Sequence, residues 1–219
     1  IVFIESIFLI CYSYFLEVVI KMFFSIQPYL IAEIGGNHQG DFEYAKKLTK
    51  LALDSTADSI KFQLYTGEEL VNKRISPDRY KHFQSFELTQ EQHIYLAEMV
   101  IDGGRDYLAS VWSLEMLDWI DDYLKFYKIG SGDLTAKPLL KEFAKRGKPI
   151  ILSTGLSTLD EVKYAIKTLR LVNNFYNQEG SITLLQCTSM YPIPSIDANL
   201  NVMNSFREIS NVNVGYSDH

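Results

Sequence analysis

Reactive side chains recur at regular intervals in this sequence, each at the end of a short apolar run. Glu33 closes the first run, with Asn37 and His38 just after it. Lys61 and Gln63 stand two apart in the second, so in a strand both point to one face. Ser110 ends the third, and Lys128 lies in the fourth, followed by Ser131 and Asp133. The fifth ends Ser153-Thr154-Gly155 and the sixth Cys187-Thr188-Ser189, with Tyr191 beyond it. The seventh ends Ser217-Asp218-His219. Each has an ordinary reading by itself. A strand-end lysine commonly holds its ammonium in water, a Ser or Thr commonly caps the next helix, and a buried Cys is commonly a small hydrophobe. The set is harder to dismiss. Two inward lysines in apolar strands are costly unless an anion meets them. Strand-end hydroxyls add donors, and together these groups suit a phosphate plus a carboxylate. Glu33 and Asp133 offer acid–base or hydroxyl-binding groups. His219 is a candidate ligand for a divalent metal.

These residues need a scaffold that brings strand ends together. From Tyr29 onward, short β-branched runs alternate with amphipathic stretches. The pattern predicts strands at Tyr29–Ile34, Ser59–Tyr65, Tyr107–Val111, Phe126–Ile129, Pro149–Thr154, Ile182–Cys187 and Val212–Tyr216. It predicts helices at Phe42–Leu53, Thr89–Ile101, Leu114–Tyr123, Lys137–Arg146, Thr158–Val172 and Asn201–Ile209. Thr-Gln-Glu-Gln from Thr89 reads as a capping pattern, and Gly147 then Pro149 as a helix stop. Seven strands alternating with six helices indicate parallel βαβ units. A doubly wound sheet would place G-x-G-x-x-G after its first strand, and the segment from Gly35 to Gly40 does not match it. Polar residues at the end of every strand favour an α/β fold of the (β/α)8 TIM barrel type. About seven of its eight strands are present.

Composition agrees. The 219 residues, 47% hydrophobic and 22% charged, suit one globular domain. The net charge of −6, with no basic run, sets nucleic acid aside. Two cysteines, Cys11 and Cys187, are too few for a disulfide framework or a cysteine zinc site. They suit a reducing cytoplasm. Residues 1–24 are very apolar, but Glu5, Glu17 and Lys21 interrupt them. That argues against a span of roughly 20 apolar residues and against a signal peptide. They are expected to be an extension outside the functional protein. Residues 25–219 are expected to form the barrel domain without its last strand and helices.

Residues 30–219 resemble the barrel domain of N-acetylneuraminate (sialic acid) synthases. The matching motifs are IAEIGGNHQGD (31–41), IKFQ (60–63), YKIGSGDLT (127–135), PLL (138–140), GKPIILSTG (147–155), CTSMYP (187–192) and GYSDH (215–219). The resemblance implies condensation of phosphoenolpyruvate with open-chain N-acetylmannosamine, or its 6-phosphate, to N-acetylneuraminate with release of phosphate. It implies a divalent metal, manganese or else magnesium, acting as a Lewis acid on the sugar aldehyde. By motif position, Lys61, Ser110, Lys128, Ser131, Ser153 and Ser217 would hold phosphoenolpyruvate, with Ser189 close by. Glu33, Gln63 and Tyr191 would contact the sugar, and Glu33 would handle protons. Asp133 stands where several members carry Glu. His219 would be one of two histidine metal ligands.

The departures also matter. The resemblance places the second metal histidine on an eighth strand, past His219. It also places a small C-terminal domain there, which in a homodimer lends an arginine to the partner's site. Val111 and Trp112 stand where Pro-Phe is common. The alternatives are a synthase of a related nonulosonic acid (legionaminic or pseudaminic), a spore-coat polysaccharide synthase, a Schiff-base aldolase using Lys61 or Lys128, and an inactive sugar-binding fragment.

Overall fold

Seven short β-branched runs pair in parallel, and their register shows how the site is assembled. The computed structural model describes residues 28–219, so the expected extension over 1–24 lies outside the described residues. Within 31–219, which forms one unit, the strands are β1 (Ile31–Gly35), β2 (Ser59–Leu64), β3 (Asp106–Val111), β4 (Tyr127–Ile129), β5 (Ile150–Ser153), β6 (Ile182–Cys187) and β7 (Asn213–Ser217). They form a single sheet in sequential order β1 to β7, every neighbouring pair parallel. Sequential parallel order with a helical crossover at each step is barrel topology. A doubly wound sheet would reverse its strand order. The architecture is therefore α/β, with seven strands of an incomplete (β/α)8 barrel.

The helices are α1 (Phe42–Leu53), α2 (Gly67–Leu70), α3 (Pro77–Gln84), α4 (Gln90–Asp102), α5 (Leu114–Ile120), α6 (Lys137–Arg146), α7 (Leu159–Val172) and α8 (Val202–Arg207). Their ends follow local chemistry. Thr89 and Thr158 each close a capping box, with Gln92 and Glu161 respectively, which satisfies donors that a helix start leaves free. Gly147 ends α6 at φ 72°, a left-handed conformation that glycine adopts without a Cβ penalty. The predicted helix over 114–123 finishes as a 3-10 turn from Asp121 to Tyr123, and the one over 201–209 is shorter at both ends. Helices α2 and α3 were not expected. They make a detour between β2 and α4 where one crossover helix would suffice.

Strand alternation sends one face to the helices and the other into the barrel. Ile60, Phe62, Leu64, Tyr107 and Ile129 belong to the buried core between sheet and helices. Phe62 stacks on Tyr107 at 5.7 Å, and Tyr127 meets Phe143 of α6 edge-on at 4.9 Å, spacings at which ring pairs add to simple burial. The opposite parity turns Glu33, Lys61, Gln63, Ser110, Lys128 and Ser153 inward. In β1 the register slips between Glu33 and Gly35. That irregularity falls where the strand hands over to its loop, the place where bulges commonly re-aim a side chain.

Candidate active site

Glu33 and Lys61 are register partners across β1 and β2, and their carboxylate and ammonium form an ion pair. Lys61 is buried, while the Glu33 side chain is nearly half exposed. One layer higher, Gln63 pairs with Ser110, and Ser110 with Lys128. These three side chains thus share a face at one level. Ser153 lies a strand further on, and its Oγ accepts from Lys128 Nζ at 2.7 Å. The same ammonium also reaches the Ile129 carbonyl at 3.3 Å.

Lys128 differs from Lys61 in its neighbours. Both are buried, but no salt bridge joins Lys128 to a carboxylate among the described residues. Burial, reinforced by the Lys61 charge, pushes the Lys128 pKa down to about 8. A buried cation with neutral partners is short of negative charge, and an anion would supply it.

A second group of polar atoms sits at the ends of β4, β5 and β6. Ser131 Oγ accepts from the Gly155 backbone N–H at 2.9 Å and lies 3.2 Å from Cys187 Sγ. A Cβ on Gly155 would stand 2.5 Å from Ser189 Oγ and 2.9 Å from Ser131 Oγ. The two hydroxyls therefore close in over the same glycine. Sequence reasoning treated Cys187 as a plain buried hydrophobe; it is buried, but its sulfur also contacts Ser131. Asp133, on the turn after β4, has its carboxyl pKa raised by burial, with Trp112 and Lys128 pulling the other way. Trp112 was noted only as a departure, because a single tryptophan carries no local signal of its partner.

Tyr191 and His219 face each other at the mouth. Their rings are 4.1 Å apart, and Tyr191 OH is 3.2 Å from His219 Nε2. Ser217 Oγ lies 3.4 Å from the same nitrogen. Burial lowers the His219 pKa, and the charges of Glu33, Lys61 and Lys128 all reach it. Every site residue expected from the sequence thus falls on this one end of the sheet. Two other strand-end residues do not join it. Asn37 turns its amide to the Ile34 carbonyl. His38 is buried, and its Nδ1 accepts from the Gly40 N–H at 3.1 Å.

Among the described residues no group of three or more His, Cys, Asp and Glu side chains converges as a metal site would need. His219 is a single donor. A metal held at His219 would need its other ligands from outside this group of residues. Nor, among them, is any helix long and apolar enough to cross a membrane.

The NeuB family model matches residues 48–219. The chain belongs to the NeuB family. It is 35% identical over 210 residues to N,N'-diacetyllegionaminic acid synthase of Legionella pneumophila, covering 89% of this chain and 58% of that protein. It is 31% identical over 204 residues to N-acetylneuraminate-9-phosphate synthase of Mus musculus, covering 87% and 55%. Among solved structures it is similar to N-acetylneuraminic acid synthetase of Leptospira borgpetersenii, with a TM-score of 0.79 and 28% identity over 87% of this chain and 65% of that one. The chain therefore spans a little over half the length of these curated NeuB-related synthases.

Proposed function

We propose that this chain carries the phosphoenolpyruvate and acceptor-sugar sites of a nonulosonic acid synthase, with N-acetylmannosamine or its 6-phosphate as acceptor and N-acetylneuraminate as product. The observation that supports this most is Lys128, a buried ammonium with only a hydroxyl and a carbonyl for partners, beside a second buried lysine. Phosphoenolpyruvate brings a phosphate and a carboxylate to that deficit. In this reading Lys61, Lys128, Ser110, Ser153 and Ser217 hold the anion. Ser131 and Ser189 hold it from the other side. Fixing both charged ends removes the orientational freedom that makes a two-substrate reaction slow.

The chemistry then follows. The enol carbon attacks the sugar aldehyde carbon, and the alkoxide so formed takes up, through Glu33, the proton that the water of the next step gives up. The positive centre left at the phosphate-bearing carbon accepts a water, whose proton goes to Glu33. The resulting tetrahedral carbon expels phosphate, which leaves with the hydroxyl proton, and becomes the keto acid. Gln63 and Tyr191 orient the sugar, and Asp133 holds a hydroxyl or shares the proton traffic. A divalent metal, manganese or magnesium, belongs to the proposal with His219 as one ligand. Phosphoenolpyruvate dependence, a homodimer and a cytoplasmic setting belong to it as well.

A second reading has a specific observation in its favour. Identity is higher to the legionaminic acid synthase than to the neuraminate-9-phosphate synthase, which favours a legionaminic acid as product. In either case Lys61→Ala is expected to raise the KM for phosphoenolpyruvate by about a hundredfold, in line with an ionic contact worth roughly 3 kcal/mol. The sugar KM should change far less. Steady-state kinetics with each substrate varied in turn checks this, and equal effects on both would remove Lys61 from the anion site. Borohydride trapping with pyruvate separates an aldolase, which would form an adduct on lysine.

A further inference from the structure

Asp133 is a site carboxyl whose position no strand fixes. It belongs to the 3-10 turn Ser131–Asp133 after β4. Its backbone closes that turn, donating to the Gly130 carbonyl at 3.1 Å and accepting from the Ala136 N–H at 2.9 Å. Its side chain folds back over the turn, with Oδ2 3.6 Å from where a Cβ on Gly130 would stand. Lys128 acts on it through its charge, without an ion pair among the described residues. The donor that meets the carboxyl is the indole N–H of Trp112. An indole offers one donor and no acceptor, so the contact has one sense.

Trp112 is itself held from two directions. It follows β3 directly, and its backbone N–H donates to the Leu64 carbonyl at 3.1 Å, carrying the pairing of β2 and β3 one residue further. Its ring meets Tyr65 edge-on at 5.9 Å, and Tyr65 meets Phe83 of α3 edge-on at 5.6 Å. Arg79 lies over the Phe83 ring at 5.7 Å. Glu87 Oε1 accepts from the Gly67 N–H at 2.6 Å, which ties the two ends of the α2–α3 detour together. A side chain locked by packing in this way can hold a functional group to its geometry. A donor on a carboxyl also favours its ionised form, against the burial that disfavours it.

We propose that Trp112 is the positioning residue of Asp133, its indole N–H, held by Tyr65 and the α2–α3 detour, aiming the carboxylate into the site. This rests on the reading of Asp133 as a working group of the synthase. It also gives the detour a use, as the backing of a ring stack that ends on a site carboxyl.

Trp112→Phe keeps a ring against Tyr65 and deletes the donor. Carbon-13 NMR of aspartate-labelled full chain follows the Asp133 carboxyl, identified by its absence from Asp133→Asn. Trp112→Phe should move its titration midpoint up by about one pH unit or more, the scale of a hydrogen bond to a charged group. Phe83→Leu, which leaves the donor but loosens the stack behind it, should move the midpoint the same way by less. Kinetics with phosphoenolpyruvate and N-acetylmannosamine form the second arm. Trp112→Phe should lower kcat by about tenfold, leave the KM for phosphoenolpyruvate unchanged, and shift the acid limb of kcat to higher pH. In the Asp133→Asn background it should cost nothing further. An unmoved Asp133 midpoint in Trp112→Phe overturns the proposal. So does a loss of activity that adds in full to that of Asp133→Asn, which is the mark of a general disturbance. A moved midpoint in a chain without turnover keeps the positioning role and sinks the synthase reading alone. Turnover with an unmoved midpoint does the reverse.

Discussion

Lys128 is the residue whose chemistry depends most on its surroundings. Water would hold a lysine ammonium well above neutral pH. Here burial and the neighbouring Lys61 bring its pKa down to about 8. Its charge in the ligand-free protein is therefore lost as pH rises through about 8. Affinity for phosphoenolpyruvate should fall over that interval, and Lys128→Arg should move the fall to higher pH, since arginine keeps its proton. Titrating the substrate dissociation constant between pH 6.5 and 9.5 checks this, and a flat profile would detach Lys128 from the anion. The same shift bears on folding. The unfolded lysine binds its proton up to a higher pH than the folded one, so this group's contribution to stability increases as pH climbs from about 8.

At the scale of the elements, the site depends on loops that cross one another closely. Gly155 follows β5 by two residues, yet its amide and its missing side chain arrange Ser131 from the loop after β4 and Ser189 from the loop after β6. Gly155→Ala forces both hydroxyls aside, because its Cβ would enter at 2.5 Å from one and 2.9 Å from the other. Displacements near 1 Å cost on the order of a hundredfold in a positioned site. The variant should fold, since the atoms that must move are side-chain termini, and should bind phosphoenolpyruvate about a hundredfold more weakly. A melting curve beside a binding isotherm separates the two effects.

Across the whole molecule, His93 links core and acid stability. It lies on the buried face of α4, and its Nδ1 finds no partner among the described residues. Burial lowers its pKa to about 4, with a smaller push from His38. The folded chain holds it neutral while the unfolded chain protonates it near 6.5. Its contribution is thus present above pH 6.5 and lost as pH falls from there toward 4. One pKa unit is about 1.4 kcal/mol, so the loss amounts to a few kcal/mol, a large share of the stability of an ordinary domain. His93→Leu should flatten that acid limb in urea melts taken from pH 7 to pH 4.5; an unchanged limb would assign the acid sensitivity to other groups.

Much of this was already determined by the sequence alone. Short β-branched runs and their spacing placed all seven strands to within two residues. Lys61 and Gln63, two apart, had to share a face whatever the tertiary fold. Thr89, Thr158 and Gly147 marked helix ends, because capping is settled within a single turn of chain. Tertiary structure decided what depends on contacts between distant segments. His38 sits at a strand end like the others, but the turn takes it into the core. The detour of α2 and α3 lacks the long apolar period that would announce it, and Gly40 packs against Ser85 at its end. Lys61 and Lys128 look alike in sequence; one receives the Glu33 carboxylate across a strand pair and the other does not. Parity and capping act over a few residues, whereas ion pairing, burial and close approach are set by which distant segments the barrel brings together.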